Sequence, residues 1–355
     1  MNLDRLSKIR IKMNQLSFDH LIVTSTDAIF YLLGEEIHPG ERLLALLISQ
    51  DETKLFVSAL FPIDNPQYPV YYFKDEEDII KILAKEIKPQ TIIGIDKFWP
   101  SQFLLKLMKE LPNHQFEIGS EAVDAIRLLK DGEEIKRMRT ASEINDRIMD
   151  EIIAYIYEEA PKGNLTEIQV QKKIKTLNEG YGIYELSFTP SVSFGKNGAE
   201  PHHDCDDTVL KKGMAVVIDM GGRKKGYCSD MTRSFYYGDA TDKYKEVYEL
   251  VLKANMAAIK AVKPGVKLSE IDYAARQVIE NGGYGEFFTH RTGHGIGINV
   301  HEFPDVSMIS ESTCEPGMLF SIEPGIYLLG EFGVRIEDIV LVTEEGCEVL
   351  NSVRK

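Results

Sequence analysis

The chain has 355 residues, of which 43% are hydrophobic and 27% are charged, and its formal net charge at pH 7 is −15. This length gives room for two domains with sizeable cores, and the acidic balance argues against a nucleic-acid-binding surface, which needs a basic stripe. The four cysteines are scattered and include no C-x-x-C pair, a pattern typical of free thiols in a reducing compartment, so we expect a cytoplasmic protein.

The first third of the chain predicts an alternating α/β domain. It begins with an amphipathic helix over residues 3–16 that does not resemble a signal peptide, and no run of about 18 apolar residues exists to span a bilayer. The elements expected next are a strand at 18–23, a short helix after the capping residues 24–27, strands at 43–48 and 54–59, a helix at 75–88, a strand at 91–96 and a helix at 101–111. This alternation indicates a mixed or parallel sheet covered by helices. We place the boundary near residue 120, which gives domains of residues 1–120 and 121–355.

The second domain contains an internal repeat whose matching positions lie 103 residues apart. The first copy contains Pro161, residues 165–168 and a Gly-Tyr-Gly at 180–182, and the second contains the corresponding Pro264, 268–271 and 283–285. Each copy predicts a long helix (133–159 and 241–262), a Pro/Gly turn, a second helix with a cap at its start and a glycine at its end, and a two-stranded acidic segment. The repeat predicts two halves related by a pseudo-twofold axis, each directing one acidic hairpin at that axis.

Four acidic residues interrupt the strand-like segments of these hairpins. They are Asp219 in AVVIDMG, Asp230 in GYCSDMTRSFYY, Glu323 in LFSIEPG and Glu337 in GVRIEDIVLV. For a tight turn centred near residues 224–225, Asp219 and Asp230 fall roughly opposite each other. Buried carboxylates are costly unless a cation or hydrogen bonds offset them, and no comparable set of buried cationic residues is expected nearby in the sequence. Two divalent ions would balance four negative charges.

His294 completes a candidate ligand set with the four carboxylates. Oxygen ligands with one imidazole and no thiolate suit Mn, Co, Fe or Zn, and paired ions of this kind activate a bridging water for hydrolysis. Each residue alone also has a structural interpretation: Asp230 as a turn or cap residue, Glu337 as a partner of Arg335, and His294 as a core histidine. Together the five predict a two-metal hydrolytic site.

Five of the eight histidines lie between residues 202 and 301. His290, His294 and His301 lie in the segment H-R-T-G-H-G-I-G-I-N-V-H, among glycines that let the backbone approach a ligand. Histidines here could move protons or donate hydrogen bonds to a developing oxyanion. His202 follows the turn-rich N-G-A-E-P and is expected at the rim of a cleft, whereas His203 is expected to be an exposed loop neighbour. Arg335 is expected either to orient the Glu337 carboxylate without itself binding a metal, or to contact substrate.

Six motifs in this order resemble the prolidase/aminopeptidase P metallopeptidases of the creatinase-like, pita-bread fold. The motifs are F-G-K-N-G-A-E-P-H-H, V-I-D-M-G, Y-C-S-D-M-T-R, H-R-T-G-H-G-I-G-I-N-V-H-E, S-I-E-P-G-I-Y and V-R-I-E-D. The resemblance is dense over residues 120–355 and looser in the first domain. It implies an α+β protein with an N-terminal creatinase-like α/β domain and a C-terminal pita-bread domain. It also implies hydrolysis of the bond between an N-terminal residue and a following proline.

The resemblance further implies a role for each ligand. Asp219 is similar to the bidentate ligand of one metal, Asp230 and Glu337 to bridging carboxylates, and His294 and Glu323 to ligands of the other metal. Manganese is the expected ion, with Co, Fe or Zn as alternatives.

The same resemblance assigns roles to the residues around the metals. His202 and His301 match the histidines that stabilise the tetrahedral intermediate and contact substrate, and His290 matches a further substrate-binding pocket histidine. Glu323 matches the carboxylate that accepts the water proton, and Arg335 matches a position that supports the site.

One position departs from the family pattern. Prolidases that act on dipeptides often carry an arginine shortly after the third histidine, where it meets the substrate's terminal carboxylate, but H-E-F-P-D has Asp305 there. Aminopeptidase P-like and prolidase-like activities therefore both remain open, with a proline-containing peptide as substrate.

Three alternatives remain beside this hypothesis. They are a catalytically silent binding module on the same scaffold, methionine aminopeptidase-like activity, and metal-free hydrolysis of a small amidine as in creatinases. The family commonly dimerises, with one subunit's first domain over the other's cleft, and on that basis we expect a homodimer.

Overall fold

A six-stranded mixed sheet forms the centre of the first of two units. The computed structural model describes residues 1–355, which divide into Met1–Arg127 and Leu128–Lys355. The strands of the first unit are β1 (His20–Val23), β2 (Ala45–Ser49), β3 (Thr53–Ser58), β4 (Val70–Phe73), β5 (Ile92–Ile95) and β6 (Gln115–Ile118). Its helices are α1 (Leu3–Gln15), α2 (Thr26–Leu33), α3 (Ile79–Lys85), α4 (Ser101–Glu110) and α5 (Ser120–Arg127). The strand order is β4-β3-β2-β1-β5-β6, with β2 antiparallel to both β1 and β3 and the other pairs parallel, so the predicted mixed sheet is confirmed.

Helix α3 is shorter than the helix predicted over residues 75–88. The Asp78 side chain accepts the backbone N–H of Lys81 and caps the helix. The Glu77 carboxylate accepts the backbone N–H of Lys74, which closes a turn before the cap. The acidic residues 75–78 therefore form the turn and the cap that precede α3, and they are not part of its first turn.

The second unit consists of two pairs of helices and four small sheets. Its helices are α6 (Gly132–Glu159), α7 (Glu167–Gly180), α8 (Asp242–Ala261) and α9 (Leu268–Asn281). Its strands are β7 (Glu185–Leu186), β8 (Ser191–Phe194), β9 (Met214–Met220), β10 (Gly222–Lys224), β11 (Tyr227–Cys228), β12 (Met231–Tyr237), β13 (Gly293–Gly295), β14 (Glu302–Val306), β15 (Leu319–Ile322), β16 (Gly325–Leu328), β17 (Phe332–Arg335), β18 (Asp338–Val342) and β19 (Cys347–Val349). The sheet orders are β11-β10-β7, β12-β9-β8, β14-β13-β15-β18-β19 and β16-β17. None of the helices in the chain combines the length and apolar character that crossing a membrane requires.

The two helix pairs reproduce the predicted repeat except at one cap. Thr166 caps α7 in a capping box, as predicted. In the second copy, however, α9 already begins at Leu268, so Ser269 lies inside the first turn and no side chain caps the helix. The predicted cap is wrong because the backbone N–H of Leu268 bonds to the carbonyl of Ser312, a contact made by a distant segment.

The register of the first acidic hairpin also differs from the prediction. The turn consists of Lys225 and Gly226, both with positive φ (50° and 81°), so its centre lies one residue later than predicted. Consequently Asp219 lies opposite Thr232, and not opposite Asp230. Asp230 is two residues from Thr232 along the chain and lies diagonally across from Asp219.

Two glycines meet where the halves of the second unit pack together. Gly198 belongs to the 3₁₀ turn Gly195–Ala199, and Gly333 lies in β17. A Cβ added to Gly333 would overlap the carbonyl oxygen of Gly198. The close approach brings the turn against the strand that ends at Arg335.

Gly333→Ala should therefore destabilise the protein. We expect the free energy of unfolding to fall by about 1–3 kcal/mol, the usual cost of overpacking, measured by denaturant unfolding. Gly346→Ala is the matched control, because a Cβ at Gly346 meets nothing within 4 Å. Equal stability of the Gly333 variant and the parent would contradict this account of the packing.

Candidate active site

A cleft of about 820 Å³ in the second unit brings the predicted site residues together. All nine of them line it: His202, Asp219, Asp230, His290, His294, His301, Glu323, Arg335 and Glu337. The other lining residues are Phe188, Thr189, Ser191, Pro201, His203, Asp204, Thr289, Arg291 and Val300. The segments that meet here are separated by more than a hundred residues in sequence, so the fold and not local structure forms the site.

Asp230, His294 and Glu337 form the buried centre of the cleft. Their ligand atoms all lie within 4.8 Å of one another. His294 Nε2 is 3.8 Å from Asp230 Oδ2 and 3.3 Å from Glu323 Oε1. Asp230 follows β11, His294 is the middle residue of β13, and Glu337 separates β17 from β18. One strand and two links between strands therefore place polar atoms at one point.

The carboxyl groups at this point disfavour each other's ionised form. Burial, followed by the charges of Glu337 and Asp219, raises the pKa of Asp230 well above its usual range. Burial, followed by the charges of Glu323 and Asp219, raises the pKa of Glu337 in the same way, and burial also raises that of Glu323. A divalent cation reverses this balance, because it favours the ionised form of each carboxyl group.

His294 is electrically suited to such a cation. Burial lowers the pKa of its imidazole to about 4, so the ring is neutral at physiological pH. Its Nδ1 is 3.1 Å from the carbonyl oxygen of Gly295 and donates to it in the tautomer that leaves Nε2 with a lone pair. A neutral imidazole oriented by a carbonyl is the form in which histidine binds a metal.

Three carboxylate oxygens at the site are buried without a hydrogen-bond partner. They are Asp219 Oδ1, Asp230 Oδ1 and Glu337 Oε1. Such atoms are uncommon in folded proteins because each loses its contact with water without compensation. Carboxylate oxygens with free lone pairs are the ligands that hard divalent ions take, so the donor set fits a metal centre.

A second cluster has the right atoms for a metal but different bonding. Glu167, His203 and Asp206 also place ligand atoms within 4.8 Å of one another. His203 Nε2, however, is 2.8 Å from Glu167 Oε2, and that oxygen also accepts the backbone N–H of Asp206. Hydrogen bonds thus satisfy the Glu167 carboxylate, which favours a structural node over a metal site. The prediction that His203 is an exposed loop neighbour is wrong, since its side chain is only 11% exposed.

Arg335 contacts Asp219 rather than Glu337. Its Nη2 is 2.7 Å from Asp219 Oδ2, its Nε donates to Thr232 Oγ1 (3.0 Å) and its Nη1 donates to the hydroxyl of Tyr327 (3.1 Å). The Thr232 hydroxyl in turn donates to Glu337 Oε2 at 2.7 Å. Arg335 therefore reaches Glu337 only through Thr232. Thr232 was not among the site residues predicted from the sequence, although its position two residues after Asp230 on one strand face was a usable signal.

The remaining histidines lie around this centre. His202 and His301 are exposed, and the ring centroid of His301 is 4.3 Å from that of His294. His290 is largely enclosed: its Nε2 is 2.9 Å from the hydroxyl of Tyr327. Burial lowers the pKa of His290 and of His301, so both rings favour the neutral form.

Comparison with known proteins agrees with this arrangement over both units. Residues 136–344 match the model of metallopeptidase family M24, and residues 5–129 match the creatinase/prolidase N-terminal domain. An uncharacterized peptidase of Staphylococcus aureus (strain USA300) is 35% identical over 99% of each chain.

Solved structures of similar proteins have the same fold. A dipeptidase from Pyrococcus horikoshii OT3 is 33% identical with a TM-score of 0.93, and the match covers 99% of this chain and 98% of that one. An Xaa-Pro dipeptidase from Bacillus anthracis is 29% identical with a TM-score of 0.89, over 99% and 98% of the two chains. The chain thus has the mixed α/β creatinase-like domain and the pita-bread catalytic domain predicted from its motifs. It belongs to metallopeptidase family M24, which makes it a hydrolase whose family implies a dinuclear metal site.

Proposed function

We propose that this protein is an Xaa-Pro peptidase that hydrolyses the bond before proline at the N-terminus of a peptide, using two divalent ions. Manganese is the expected metal. The main support for this proposal is the cluster of three buried carboxylate oxygens that lack a hydrogen-bond partner beside the neutral His294. Support for the proline preference comes from relatives: a prolidase from Pyrococcus horikoshii OT3 is 31% identical with a TM-score of 0.90, over 99% of each chain.

The metal ligands in this proposal are the five groups at the centre of the cleft, namely Asp219, Asp230, His294, Glu323 and Glu337. A pair of ions held by such ligands lowers the pKa of a bound water and polarises the scissile carbonyl.

The residues around the ligands hold the peptide and move the proton. Glu323 is positioned to accept the proton of the attacking water, since its side chain is partly exposed and its Oε1 accepts a hydrogen bond from Ser321. His202 and His301, exposed at the rim, bind the substrate carbonyl and stabilise the charge that develops on it. His290 lines the substrate pocket, and Arg335 keeps Asp219 in place.

Dipeptides and longer peptides are both within the proposed substrate range. Asp305, which stands where the family resemblance implies an arginine in many dipeptide-cleaving prolidases, forms an ion pair with Arg291, and Arg291 lines the cleft. The Arg291 guanidinium therefore lies close to the substrate, and the charge of Asp305 partly neutralises that of Arg291. Both a prolidase-like and an aminopeptidase P-like substrate range therefore remain within the proposal.

The alternatives lose support from particular features. A silent binding module, or a metal-free creatinase-like enzyme, has no need for a complete set of five converging ligand groups. A methionine aminopeptidase-like enzyme has no need for the first unit of residues 1–127, which matches the creatinase/prolidase N-terminal domain.

A panel of short peptides tests the proposal. With Mn²⁺ or Co²⁺ added, we expect cleavage of Xaa-Pro dipeptides or Xaa-Pro-Yaa tripeptides, no cleavage of Met-Ala peptides, and loss of activity after chelation. Peptides of graded length then separate the two substrate ranges. Activity that survives complete metal removal, or release of methionine with Xaa-Pro bonds left intact, would contradict the proposal.

The proposed assembly is a homodimer. Light scattering should give about twice the chain mass of 40.2 kDa, and a mass near that of one chain would contradict it.

A further inference from the structure

Glu167 is a buried hydrogen-bonding centre beside the loop that carries His202. It is the first residue of α7, its side chain is 0% exposed, and it does not line the cleft. Its Oε1 accepts the backbone N–H of Phe194 at 2.6 Å and the side-chain amide of Asn197 at 3.0 Å. Its Oε2 is 2.8 Å from His203 Nε2. We call this carboxylate and its donors the Glu167 node. It connects His203, the residue next to His202, to the start of helix α7.

A buried ion pair lies beside the loop that carries His301. Glu302, the next residue, has its Oε2 3.3 Å from the Nζ of Lys130, and the two side chains are 7% and 1% exposed. Glu302 Oε1 accepts the backbone N–H of Asn299 at 3.0 Å. A Cβ at Gly297 would lie 2.8 Å from Glu302 Oε2, so a larger residue at 297 would require this carboxylate to shift. We call this contact the Lys130 pair.

The Glu167 node and the Lys130 pair share one structural feature, although they lie at two unrelated loops. In each, the side chain of the residue directly after an exposed rim histidine bonds to the buried side chain of a residue that precedes or begins a helix. A single peptide unit separates the anchored side chain from the histidine, so the anchor limits where the histidine backbone can lie. A buried charge-assisted hydrogen bond is short, directional and poorly replaced by water, which suits it to fixing a loop more than to adding stability.

We propose that Glu167 and Lys130 are positioning residues for the peptidase reaction, acting on His202 through His203 and on His301 through Glu302. This inference rests on the proposed function, in which both rim histidines bind the substrate carbonyl. Neither Glu167 nor Lys130 touches the cleft, so each affects turnover through the residues that it contacts. Displacing a transition-state-binding group by about 1 Å is enough to lower the rate by about a hundredfold.

The test uses isosteric variants of the anchors. Glu167→Gln keeps the shape of the side chain but places an amide N–H₂ against groups that themselves donate. Lys130→Met keeps the aliphatic stem and removes the ammonium group that contacts Glu302. The matched controls are Glu270→Gln, at the repeat position equivalent to Glu167 but exposed, and Lys136→Met, an exposed lysine on α6.

We expect both anchor variants, loaded with Mn²⁺, to bind as much metal as the parent and to lose about 10- to 100-fold in kcat on an Xaa-Pro peptide, with a smaller change in KM. The controls should match the parent. His203→Leu should reproduce the loss of Glu167→Gln, the double variant should be no worse than either single one, and His203→Gln should recover activity because its amide can still donate to Glu167.

Amide hydrogen exchange gives a readout that does not depend on turnover. Glu167→Gln should speed exchange in the segment around residues 199–206 and leave 298–303 unchanged, and Lys130→Met should do the reverse. Glu302→Gln serves as a second variant of the Lys130 pair if Lys130→Met does not fold.

Two results would overturn the inference. One is parental kcat in folded, metal-loaded Glu167→Gln and Lys130→Met, and the other is an activity loss that follows metal loss or unfolding alone. Failure of the proposed function looks different, because the parent itself would then cleave no Xaa-Pro peptide while the segment-selective change in exchange persists.

Discussion

Asp230→Asn should abolish peptidase activity and at the same time stabilise the metal-free protein. The loss of activity follows from removing a proposed metal ligand at the centre of the cleft: if the metals supply about 4 kcal/mol to the transition state, the rate falls by about a thousandfold. The gain in stability has a separate cause. Burial and then the charges of Glu337 and Asp219 raise the pKa of Asp230, so its ionisation opposes folding in the absence of a cation.

The sign of this effect follows from proton linkage. A carboxyl group whose pKa is raised in the folded state holds its proton there at a pH where the unfolded chain has released it. The folded metal-free protein therefore loses stability as pH rises from the ordinary carboxyl pKa of 3.8 towards the raised value. Asn carries no ionisable proton, so the variant should lack this part of the pH dependence.

Thermal or urea unfolding of chelated protein at neutral pH provides the measurement. We expect Asp230→Asn to be more stable than the parent, because the amide removes the free-energy cost of ionising a buried carboxyl group beside Glu337 and Asp219. Asp239→Asn, at an exposed position after β12, is the control and should change neither activity nor stability. A metal-free Asp230→Asn protein that is less stable than the parent would contradict the electrostatic description of the site.

Chelation followed by reloading with Mn²⁺ should switch activity off and on and shift stability with it. A ligand that binds only the folded state stabilises it by about 2.7 kcal/mol at a concentration of 100 times its Kd. Titration with Mn²⁺ should therefore raise the midpoint of thermal unfolding progressively. Affinity should fall as pH is lowered, because Asp230 and Glu337 have raised pKa values and must lose their protons to bind the ion.

Glu337→Gln separates metal binding from nonspecific effects of the ion. This variant keeps the side-chain volume but loses one carboxylate of the buried centre, so Mn²⁺ should stabilise it far less than the parent. Direct measurement of metal content should give about two ions for each parent chain. A parent that holds no metal under metal-replete conditions would favour the silent binding module.

Much of the fold was predictable because its signals are local. The repeat could be recognised because each copy needs the same turn glycines and helix-starting residues, and helices α6–α9 appear at those places. The members of the site stood out for a related reason: Asp219 and Glu337 interrupt apolar strands, where an acid needs a compensating partner. Residue types and spacing were therefore enough to nominate the cleft residues and the chemistry they suit.

Tertiary structure alone decided which partner each of these residues contacts. Arg335 bonds to Asp219, which lies 116 positions earlier in the chain. It reaches Glu337 only through Thr232, and Thr232 and Glu337 are 105 positions apart. The His203 side chain points inward to Glu167, 36 positions earlier. Local pattern places a side chain on a face of a strand or in a loop, but it does not define which distant atom lies within 3 Å of that side chain. The sequence by itself determined the elements, the repeat and the chemical character of the cleft. The bonding within the cleft depends on how separate strands and loops pack against one another, and only the folded chain defines it.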